Sequence, residues 1–454
     1  MKKEEKIIFI TLPSPFLDDP GLQPLLGVGY LSSYIQSKGY TNVGLVDYNV
    51  LNYDYNEKEY LKKIPLDSDY YCIHSMTPQY RWLREISRYL KSNTKGLVIL
   101  GGPHISNCPE DGIDDCLADI CVIGEGEEVL YSILQGNTNI KGVYTKEYRK
   151  KERVYIKDLD MLPFPDRNMI DISNYNRFLD GKRAFHIVTL RGCPYSCAYC
   201  DKFSVGRNVR YRSVNNVMEE IDMIRDKYDV NSFIIYDDIF TLDANRVKSF
   251  CKEFKDRDIT WRCWSRTNTL DREKLLYMRQ TDITQITMGV ESFDDEVLKG
   301  MNKKATAEQN KKALMLCKEI GIKAQCSLMY GNPGECKRSI DNTIRYVEEI
   351  QPDNWDLTVL TPIPGSAIWN NPEKYGITFD KKWLKDKQYQ PCARTGSKNG
   401  ISNIWIRINT MSDKEFIDNL KYFVERLEEV SPRAKKWKHY QNIQTNNIEY
   451  EERK

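Results

Sequence analysis

Several features are scarce or absent in the sequence, and these absences exclude some classes of protein. The sequence has no apolar run of the roughly 20 residues that a membrane helix needs, and its start, 1–10, has no signal-peptide core. A formal net charge of +2 over 454 residues provides no field that would attract nucleic acid or an anionic membrane. There are four histidines and neither an internal repeat nor a low-complexity tract. These absences favour a cytoplasmic globular protein without a membrane span or a nucleic-acid partner, and the length indicates two or three domains.

Cysteine is plentiful but does not form a disulfide pattern. The thirteen cysteines are an odd number, and most are scattered through strand-like and helix-like segments, which is typical of a reducing compartment. Cys193, Cys197 and Cys200 differ, because they lie within eight residues at a CxxxCxxC spacing directly after the β-rich run 184–190. Three such thiolates can ligate three irons of a [4Fe–4S] cube and leave the fourth iron open. The alternatives are a zinc site, which normally takes four protein ligands, and three buried thiols.

The first 145 residues or so alternate between strand-like and helix-like segments. Apolar residues at helical spacing are clearest in 27–38 and 79–91. The predicted strands are 6–12, 43–47, 70–75, 97–100 and 120–123. Alternating β and α units indicate a parallel sheet with helices on both faces, in which ligands bind beyond the carboxyl ends of the strands. We therefore predict an α/β protein whose first domain, 1–150, is a doubly wound, Rossmann-like sheet.

A second βα series follows a linker. Pro163 and Pro165 disfavour helix and place the linker at 151–180. Helices fit 214–228 and 307–320, and the predicted strands are 185–190, 232–236, 260–264, 285–290, 323–330 and 355–360. Six strands with intervening helices indicate a partial (β/α)6 barrel of the TIM type over 181–370. The rest, 371–454, is predicted to be a small, mostly helical C-terminal region, with Ser412 and Glu415 as the capping box of its helix.

Polar and glycine residues follow the predicted barrel strands in order, at 236–238, 264–266, 289–292, 330–335 and 361–366. Behind a three-cysteine loop, this series resembles the radical SAM (S-adenosylmethionine) superfamily. The resemblance implies that the three cysteines bind a [4Fe–4S] cluster whose open iron chelates SAM. It implies that SAM is bound by Tyr199, Asp237, Asp238, Ser265, Arg266, Glu291 and Gly331.

The first half of the chain also contains characteristic sequence segments, at 24–34, 101–104 and 124–127. With the linker and barrel they resemble the cobalamin-binding domain that is fused to one radical SAM subfamily, so the resemblance covers about 5–370. It implies that cobalamin is bound by Pro13, Ser14, Gly27, Ser75, Met76, Thr77, Gly101, Gly102, His104, Gly124, Glu125, Gly126 and Glu127.

One position departs from the pattern of many cobalamin domains, which carry Asp-x-His-x-x-Gly with the histidine on cobalt. Here Asn49 stands where that histidine would fall after Asp47, and 40–60 contains no histidine. We therefore expect bound cobalamin to have its dimethylbenzimidazole tail off the cobalt, with no histidine beneath the metal. His74, on a strand, is expected to be packed, and His104 to touch the nucleotide tail.

The resemblance implies a cobalamin-dependent radical SAM enzyme. Its first expected activity is methyl transfer to an unactivated carbon by way of a 5′-deoxyadenosyl radical and methylcobalamin. A radical cyclase or oxidoreductase without net methyl transfer is one alternative, and a cobalamin or Fe–S sensor or electron carrier is another. The expected partners are a small-molecule or peptide substrate and an electron donor such as flavodoxin or ferredoxin. Four C-terminal residues are candidates for a substrate pocket, Trp383, Tyr389, Trp405 and Arg407.

Overall fold

The computed structural model describes residues 4–14, 24–51, 58–170, 174–175, 177–201, 205–379 and 406–432. Trp383, Tyr389 and Trp405 lie outside these ranges, whereas Arg407 lies within them and pairs with Asp413 on the protein surface. None of the helices in these ranges is both long and apolar enough to cross a membrane.

The amino-terminal half is built on one six-stranded sheet. Its strands in chain order are β1 Ile7–Thr11, β2 Val43–Asp47, β3 Tyr70–His74, β4 Leu97–Gly101, β5 Ile120–Val122 and β6 Val143–Tyr144. The spatial order is β2-β1-β3-β4-β5-β6, and the first five strands are parallel. The predicted parallel sheet is confirmed with strand ends within two residues of those expected. The two-residue β6, which pairs antiparallel with β5, was not predicted.

Helices cover both faces of this first sheet. They are α1 Leu26–Ser37, α2 Tyr80–Asn93, α3 Pro103–Asn107 and α4 Glu127–Leu134. Ile7 and Phe9 on one face share a core cluster with apolar residues of α1 and α4, and Ile8 and Ile10 on the other face pack with α2. In the central strands β1, β3, β4 and β5, side chains on both faces are buried, so these strands are mostly apolar, as expected of a parallel sheet between helices.

A small hairpin and an antiparallel ribbon introduce the second half. The hairpin joins β7 Phe178–Leu179 to β8 Lys182–Arg183, and the ribbon pairs β10 Leu190–Arg191 with β11 Arg210–Tyr211. The second six-stranded sheet is parallel throughout and follows chain order: β9 Phe185–Ile187, β12 Ser232–Ile235, β13 Thr260–Ser265, β14 Asp282–Glu291, β15 Ala324–Tyr330 and β16 Asn354–Val359. Six adjacent parallel strands in chain order confirm the predicted partial barrel.

The barrel strands pack outward against a ring of helices. These are α5 Val214–Tyr228, α6 Ala244–Asp256, α7 Arg272–Arg279, α8 Asp295–Gly300, α9 Ala307–Ile320, α10 Lys337–Ile350 and α11 Ala367–Asn370. The C-terminal region adds the strand pair β17 Ile377–Thr378 and β18 Arg407–Ile408 and the helix α12 Asp413–Val430. Ser412 and Glu415 form the predicted capping box, and Tyr330 donates a hydrogen bond from its hydroxyl to the Phe416 carbonyl at 2.6 Å, which fixes α12 to the barrel.

The segment predicted as a linker joins the two sheets through buried polar contacts. Arg167 and Arg212 each donate to a different oxygen of Glu220, at 2.7 and 2.5 Å, and all three side chains are at least 96% buried. Arg212 also contacts the Tyr30 hydroxyl of α1 at 3.3 Å. Since Arg167 lies in the linker, Glu220 in the barrel and Tyr30 in the first half, these contacts fix how the two halves meet.

Candidate active site

The three-cysteine loop leaves the barrel after β10 and is held at both ends by backbone hydrogen bonds. The Cys193 amide donates to the Gly206 carbonyl at 3.1 Å, and the Ala198 amide donates to the Met301 carbonyl at 2.8 Å. Gly192 precedes the first cysteine with a φ of 102°, and a Cβ there would lie 2.5 Å from the Asn208 carbonyl. Position 192 therefore requires glycine, because the Cβ of any other residue would clash with the Asn208 carbonyl and displace the loop from the β10–β11 ribbon.

A buried arginine lies against the loop. An Nη of Arg266, at the end of β13, is 3.2 Å from the sulfur of Cys197, and the guanidinium lies over the ring of Tyr195 at 3.8 Å. Another Nη donates to the Lys303 carbonyl. A cation beside a cysteine stabilises the thiolate, which is the form that ligates iron. Arg266 therefore lies next to the sulfur of Cys197, and its contact with SAM stays a prediction.

Glu291, at the end of β14, is the centre of a second charged group. Lys303, 3% exposed in its side chain, donates to an oxygen of Glu291 at 2.8 Å, and the Tyr199 hydroxyl donates to the same oxygen at 2.9 Å. Glu291 itself has a φ of 67°, at a register shift between β14 and β15. Burial and the neighbouring carboxylate raise the pKa of Tyr199 well above its usual value, so its hydroxyl remains a donor.

The two consecutive aspartates after β12 have different surroundings. Asp237 is buried and accepts hydrogen bonds from the Thr189 amide, the Thr189 hydroxyl and the Leu190 amide. Burial raises its pKa to about 6, partly offset by those bonds. Asp238 instead lines the cavity described below. That Asp237 binds SAM stays a prediction, and in the structure its two oxygens accept hydrogen bonds from Thr189 and Leu190, which lead into the cysteine loop.

Ser265 and Gly331 lie at strand ends, as predicted, but their polar groups are engaged within the protein. The Ser265 hydroxyl is 2.6 Å from that of Thr241, and both are buried. The Gly331 amide donates to the carboxylate of Glu335, which also accepts from the Asn332 amide at 3.0 Å. Burial raises the pKa of Glu335 to about 7 against the effect of these two bonds. These contacts shape the strand ends.

The donor set fits an iron–sulfur cube. Cys193 and Cys197 are 8% exposed and Cys200 is half-buried, so a cluster there would be largely shielded from solvent. Among the described residues, no three His, Cys, Asp or Glu side chains converge on one metal ion. A cube does not require that convergence, since each thiolate ligates a different iron. The cation at Cys197 and the absence of a nearby fourth cysteine both suit a cluster with one open iron.

A cavity of about 330 Å³ lies between the first sheet and the barrel. Its inner part is apolar and lies between the sheet and helices α1 and α4, with walls from Phe9, Val28, Cys72, Ile99, Val122 and Leu130. Its outer part reaches Leu190, Arg191, Gly192, Tyr236 and Asp238 of the barrel. The cavity therefore connects the carboxyl ends of the first sheet to the residue that precedes Cys193.

Part of the predicted cobalamin-binding set lines this cavity, namely Gly27, Gly101, Gly102, Gly124, Glu125, Gly126 and Glu127. Gly102 has a φ of 96°, and a Cβ there would lie 2.5 Å from the Ser75 carbonyl, so backbone forms the rim. A glycine rim above an apolar slot fits cobalamin, whose corrin can lie against backbone while its flat apolar tail enters the slot.

The rest of the predicted cobalamin-binding set does not line the cavity. The predicted residues concerned are Pro13, Ser14, Ser75, Met76, Thr77 and His104. Gln79 donates to the Ser14 hydroxyl at 2.9 Å and accepts from the Met76 amide at 3.1 Å, which fixes the two loops to each other.

Of the two histidines in this half, His74 lines the cavity, and His104, which was predicted to touch the nucleotide tail of cobalamin, does not. His104 is fully buried, with Nδ1 3.3 Å from the Thr77 hydroxyl and its ring 4.7 Å from that of Tyr80, so it does not reach the cavity. His74 lines the cavity, and its Nδ1 is buried with no hydrogen-bond partner in the described part of the chain. Burial lowers the pKa of His74 to about 4, so it is neutral. Alternation along β3 places Cys72 and His74 on the cavity face.

Asp47 and Asn49 are structural in this protein. Asp47 accepts from the Thr11 hydroxyl at 2.6 Å, from the Asn49 amide at 3.1 Å and from the Tyr175 hydroxyl. Asn49 turns toward Asp47 and does not line the cavity. Asp47 therefore connects β2 to Tyr175 of the linker, and Asn49, at the position that holds a cobalt ligand in many cobalamin domains, bonds to Asp47.

Ion pairs between the two halves close the rim of the cavity. Glu125 receives two hydrogen bonds from Arg210, and Glu127 receives one at 2.7 Å from Arg191. Arg191 also lies over the ring of Tyr30 at 5.1 Å. The two glutamates were predicted to contact cobalamin; they line the cavity, and their carboxylates bind Arg210 and Arg191 of the β10–β11 ribbon.

Arg191, Arg210, Lys303 and Tyr30 were not identified from the sequence. Arg191 directly precedes the Gly-Cys pair, which is a local signal that could have been used. Lys303 follows Glu291 by 12 residues, and nothing in its neighbourhood marks it as buried. Such residues are located by the tertiary fold alone.

Comparisons with known proteins agree with this arrangement. The model of the Radical SAM superfamily matches residues 187–347, and that of the B12 binding domain matches residues 20–134. The chain is 26% identical over 384 residues to an uncharacterized methyltransferase of Pyrococcus horikoshii, which covers 81% of this chain and 82% of that protein. It is 28% identical over 370 residues to the anaerobic magnesium-protoporphyrin IX monomethyl ester cyclase of Rubrivivax gelatinosus, which covers 77% of this chain and 66% of the cyclase.

A solved structure has the same fold. The radical S-adenosylmethionine methyltransferase TsrM from Kitasatospora setae, with cobalamin and a [4Fe–4S] cluster bound, matches with a TM-score of 0.65 at 16% identity. The match covers 83% of this chain and 81% of that one. At this identity the likeness is one of fold, and it extends across both halves of the chain.

Proposed function

The chain belongs to the radical SAM superfamily and carries an amino-terminal B12-binding domain, and from this premise we propose that it is a methyltransferase acting on an unactivated carbon. The observation that carries the proposal is the cavity between the halves. It joins the glycine-rimmed strand ends of the first sheet to the loop of the three cysteines. A reaction that needs cobalamin and SAM at one substrate requires both cofactors to face one space, and this cavity is such a space.

When bound, the cluster, SAM and cobalamin supply the radical and the methyl group, and the protein positions and insulates them. Cys193, Cys197 and Cys200 would hold the cluster, with the guanidinium of Arg266 next to the sulfur of Cys197. Glu291 would accept a hydrogen bond from a hydroxyl of SAM, and Lys303 orients that carboxylate by its own hydrogen bond.

The protein also excludes water from the reacting space. The inner walls of the cavity are apolar, and the ion pairs of Glu125 with Arg210 and of Glu127 with Arg191 hold the halves together at its rim. Shielding matters here, because a reactive carbon radical must meet its methyl donor before it meets solvent.

A radical cyclase is the second candidate. The match to the cyclase of Rubrivivax gelatinosus over 77% of this chain supports it, because that similarity extends across both halves. The two candidates differ in what becomes of the SAM methyl group, which a cyclase need not transfer.

We further propose that a flavodoxin or ferredoxin reduces the cluster and that the protein works in the cytoplasm. Buried cysteines such as Cys251 and Cys317 are free thiols, which accords with a reducing compartment. A half-buried Cys200 at the edge of the loop would offer the shortest route for an incoming electron.

The experiment is anaerobic reconstitution with iron, sulfide and cobalamin, followed by dithionite and SAM carrying a trideuteromethyl group. The proposal predicts formation of 5′-deoxyadenosine and transfer of the labelled methyl group to reduced cobalamin, both measured by mass spectrometry. The variant Cys193→Ala should make no 5′-deoxyadenosine, and Cys251→Ala, a buried core cysteine, should behave as wild type. Production of 5′-deoxyadenosine without labelled cobalamin would favour the cyclase, and neither product would contradict both candidates.

A further inference from the structure

The interior of the barrel is polar where its outer face is apolar. On β13 to β16, Trp261, Ile286, Cys326 and Trp355 belong to the core shared with the helices. The alternate residues on the same strands form a hydrogen-bonded row across the inner face. Arg262 donates to the Thr287 hydroxyl at 3.0 Å, and across the next strands Gln325 and Ser327 donate to Asp356 at 2.9 and 2.7 Å.

Arg262 is a cation in this row without an ion-pair partner among the described residues, and Asp356 acts on it only electrostatically across the row. The Nε of Arg262 is buried and has no hydrogen-bond partner, and its guanidinium makes no ion pair with any carboxylate in the described ranges. A second guanidinium, that of Arg177, is close enough to act on it electrostatically. A buried cation without a counter-ion is costly, and sites that keep one commonly use it to bind an anion.

The charge of Arg262 persists at neutral pH. Burial, followed by the repulsion of Arg177, lowers the pKa of Arg262 to about 10, and Asp356 acts in the opposite direction. Nearby His186 is neutral, because burial and the surrounding arginines lower its pKa to about 3. The group facing the barrel interior at this level is thus a positively charged, incompletely solvated guanidinium.

Aromatic side chains connect Arg262 to the cavity between the halves. The guanidinium of Arg262 lies over the ring of Trp264 at 4.9 Å, and Trp264 packs edge-on against Tyr236 at 5.2 Å between ring centres. Tyr236 is 42% exposed and lines the cavity. An aromatic wall therefore runs from the cavity next to the cysteine loop to the unpaired cation.

The opposite end of the barrel interior is covered by the hairpin of β7 and β8. Lys182 donates to the Thr260 hydroxyl at 2.9 Å, at the start of β13. Leu179 and Ala184 pack with Ile234 and with Trp264. A ligand would therefore reach Arg262 from the cavity side, along Tyr236 and Trp264.

We propose that Arg262 binds an anionic group, a carboxylate or a phosphate, at one end of the substrate, whose less polar body lies along Trp264 and Tyr236. This inference rests on the proposed function, since it places the substrate between the barrel interior and the cavity. It narrows the substrate to organic anions with an apolar or planar portion. Thr287 completes the site by orienting the guanidinium.

The test uses three fluorinated probes with the anaerobically reconstituted full-length protein. They are 4-(trifluoromethyl)benzoate, 4-(trifluoromethyl)phenyl phosphate and the neutral 4-(trifluoromethyl)benzamide, titrated by fluorine NMR. At least one of the anions should bind roughly tenfold or more tightly than the amide, and which one does so distinguishes a carboxylate from a phosphate.

The variant Arg262→Gln should weaken binding of that anion by roughly tenfold and leave the amide unchanged. Arg262→Lys, which keeps the charge, should restore part of the affinity. Arg279→Gln, an exposed arginine at the end of α7, is the matched control and should bind as wild type. Equal affinity for the anions and the amide, or an Arg262→Gln variant that binds the anion as wild type does, would overturn the proposal.

Failure of this inference is distinguishable from failure of the proposed function. The wild-type protein tests the proposed function through 5′-deoxyadenosine and labelled cobalamin with no probe present, whereas the relative affinities of the anions and the amide test only the Arg262 site. If the protein binds the anion through Arg262 but transfers no methyl group, the anion site is supported and the methyltransferase proposal is wrong.

Discussion

Glu125 in the first half and Arg210 in the barrel form a two-point ion pair, with nitrogen–oxygen distances of 2.7 and 2.8 Å. Both side chains are at least 88% buried, and the Ile156 amide donates to the same glutamate at 2.6 Å. The pair therefore ties β11, the start of the linker and the rim of the cavity to one another.

Removing one member of this pair should destabilise the protein strongly. Glu125→Ala leaves the Arg210 guanidinium partly buried without its counter-ion, so the free energy of unfolding should fall by about 3–5 kcal/mol. Equilibrium denaturation in urea measures it, and Glu128→Ala, an exposed glutamate on α4, is the control. The double variant Glu125→Ala/Arg210→Ala should lose less than the sum of the two single losses. Additive losses would show that the two side chains act independently.

The cysteines should divide sharply by position. Cys193→Ala, Cys197→Ala and Cys200→Ala should each abolish iron loading and SAM cleavage, because each removes one ligand from a cluster that has only three. Cys251→Ala and Cys317→Ala should leave both intact, since those thiols are buried in the barrel core. Iron analysis and chromatography of 5′-deoxyadenosine provide the measurements. A protein lacking all three loop cysteines that still holds four irons would exclude the cluster.

Lys303 should matter for SAM although it lies outside every motif. Lys303→Met removes the cation from Glu291 and Tyr199, so SAM binding should weaken by about 1.5–3 kcal/mol while iron loading is retained. Lys304→Met is the matched control, because the neighbouring lysine is exposed. Isothermal titration of SAM into the reconstituted protein distinguishes them. Equal affinity in both variants would show that Glu291 does not bind SAM.

These residues show what the sequence could and could not predict. The alternating βα units located every parallel strand of both sheets, because burial on two faces leaves an apolar run that needs no tertiary information, whereas the antiparallel β6 was not predicted. The pattern of alternating βα units does not predict which way a polar side chain at a strand end points. Asp237 and Asp238 are neighbours, yet one holds the Thr189 amide and the other lines the cavity. Glu125 and Arg210 are 85 residues apart, and nothing local couples them.

Glu335 should make stability depend on pH. Its pKa is raised by burial from 4.5 to about 7, so the folded state holds a proton that the unfolded chain releases above pH 4.5. Its contribution is therefore fully present below pH 4.5 and is lost as the pH rises through 7, by about 3 kcal/mol at most. Glu335→Gln should remove this part of the decline, and urea denaturation at pH 5 and at pH 8 measures it. An unchanged pH dependence in the variant would mean that Glu335 titrates normally.

Cobalamin bound to this protein should have no imidazole nitrogen on its cobalt. Asn49 stands where other cobalamin domains have a histidine and turns toward Asp47, and His104 is sealed between Thr77 and Tyr80. The Co(II) form should therefore lack nitrogen superhyperfine splitting in its electron paramagnetic resonance spectrum.

His74 is the residue that could contradict this, because it lines the cavity with an unpartnered Nδ1 among the described contacts. His74 is on the same face of β3 as Cys72 of the apolar slot, and its ring lies next to Gly102 at the rim. If the wild-type spectrum shows axial nitrogen coupling that His74→Ala removes, the lower ligand is His74. If the folded protein binds no cobalamin at all, the radical SAM chemistry proceeds without it, and the cavity serves the substrate alone.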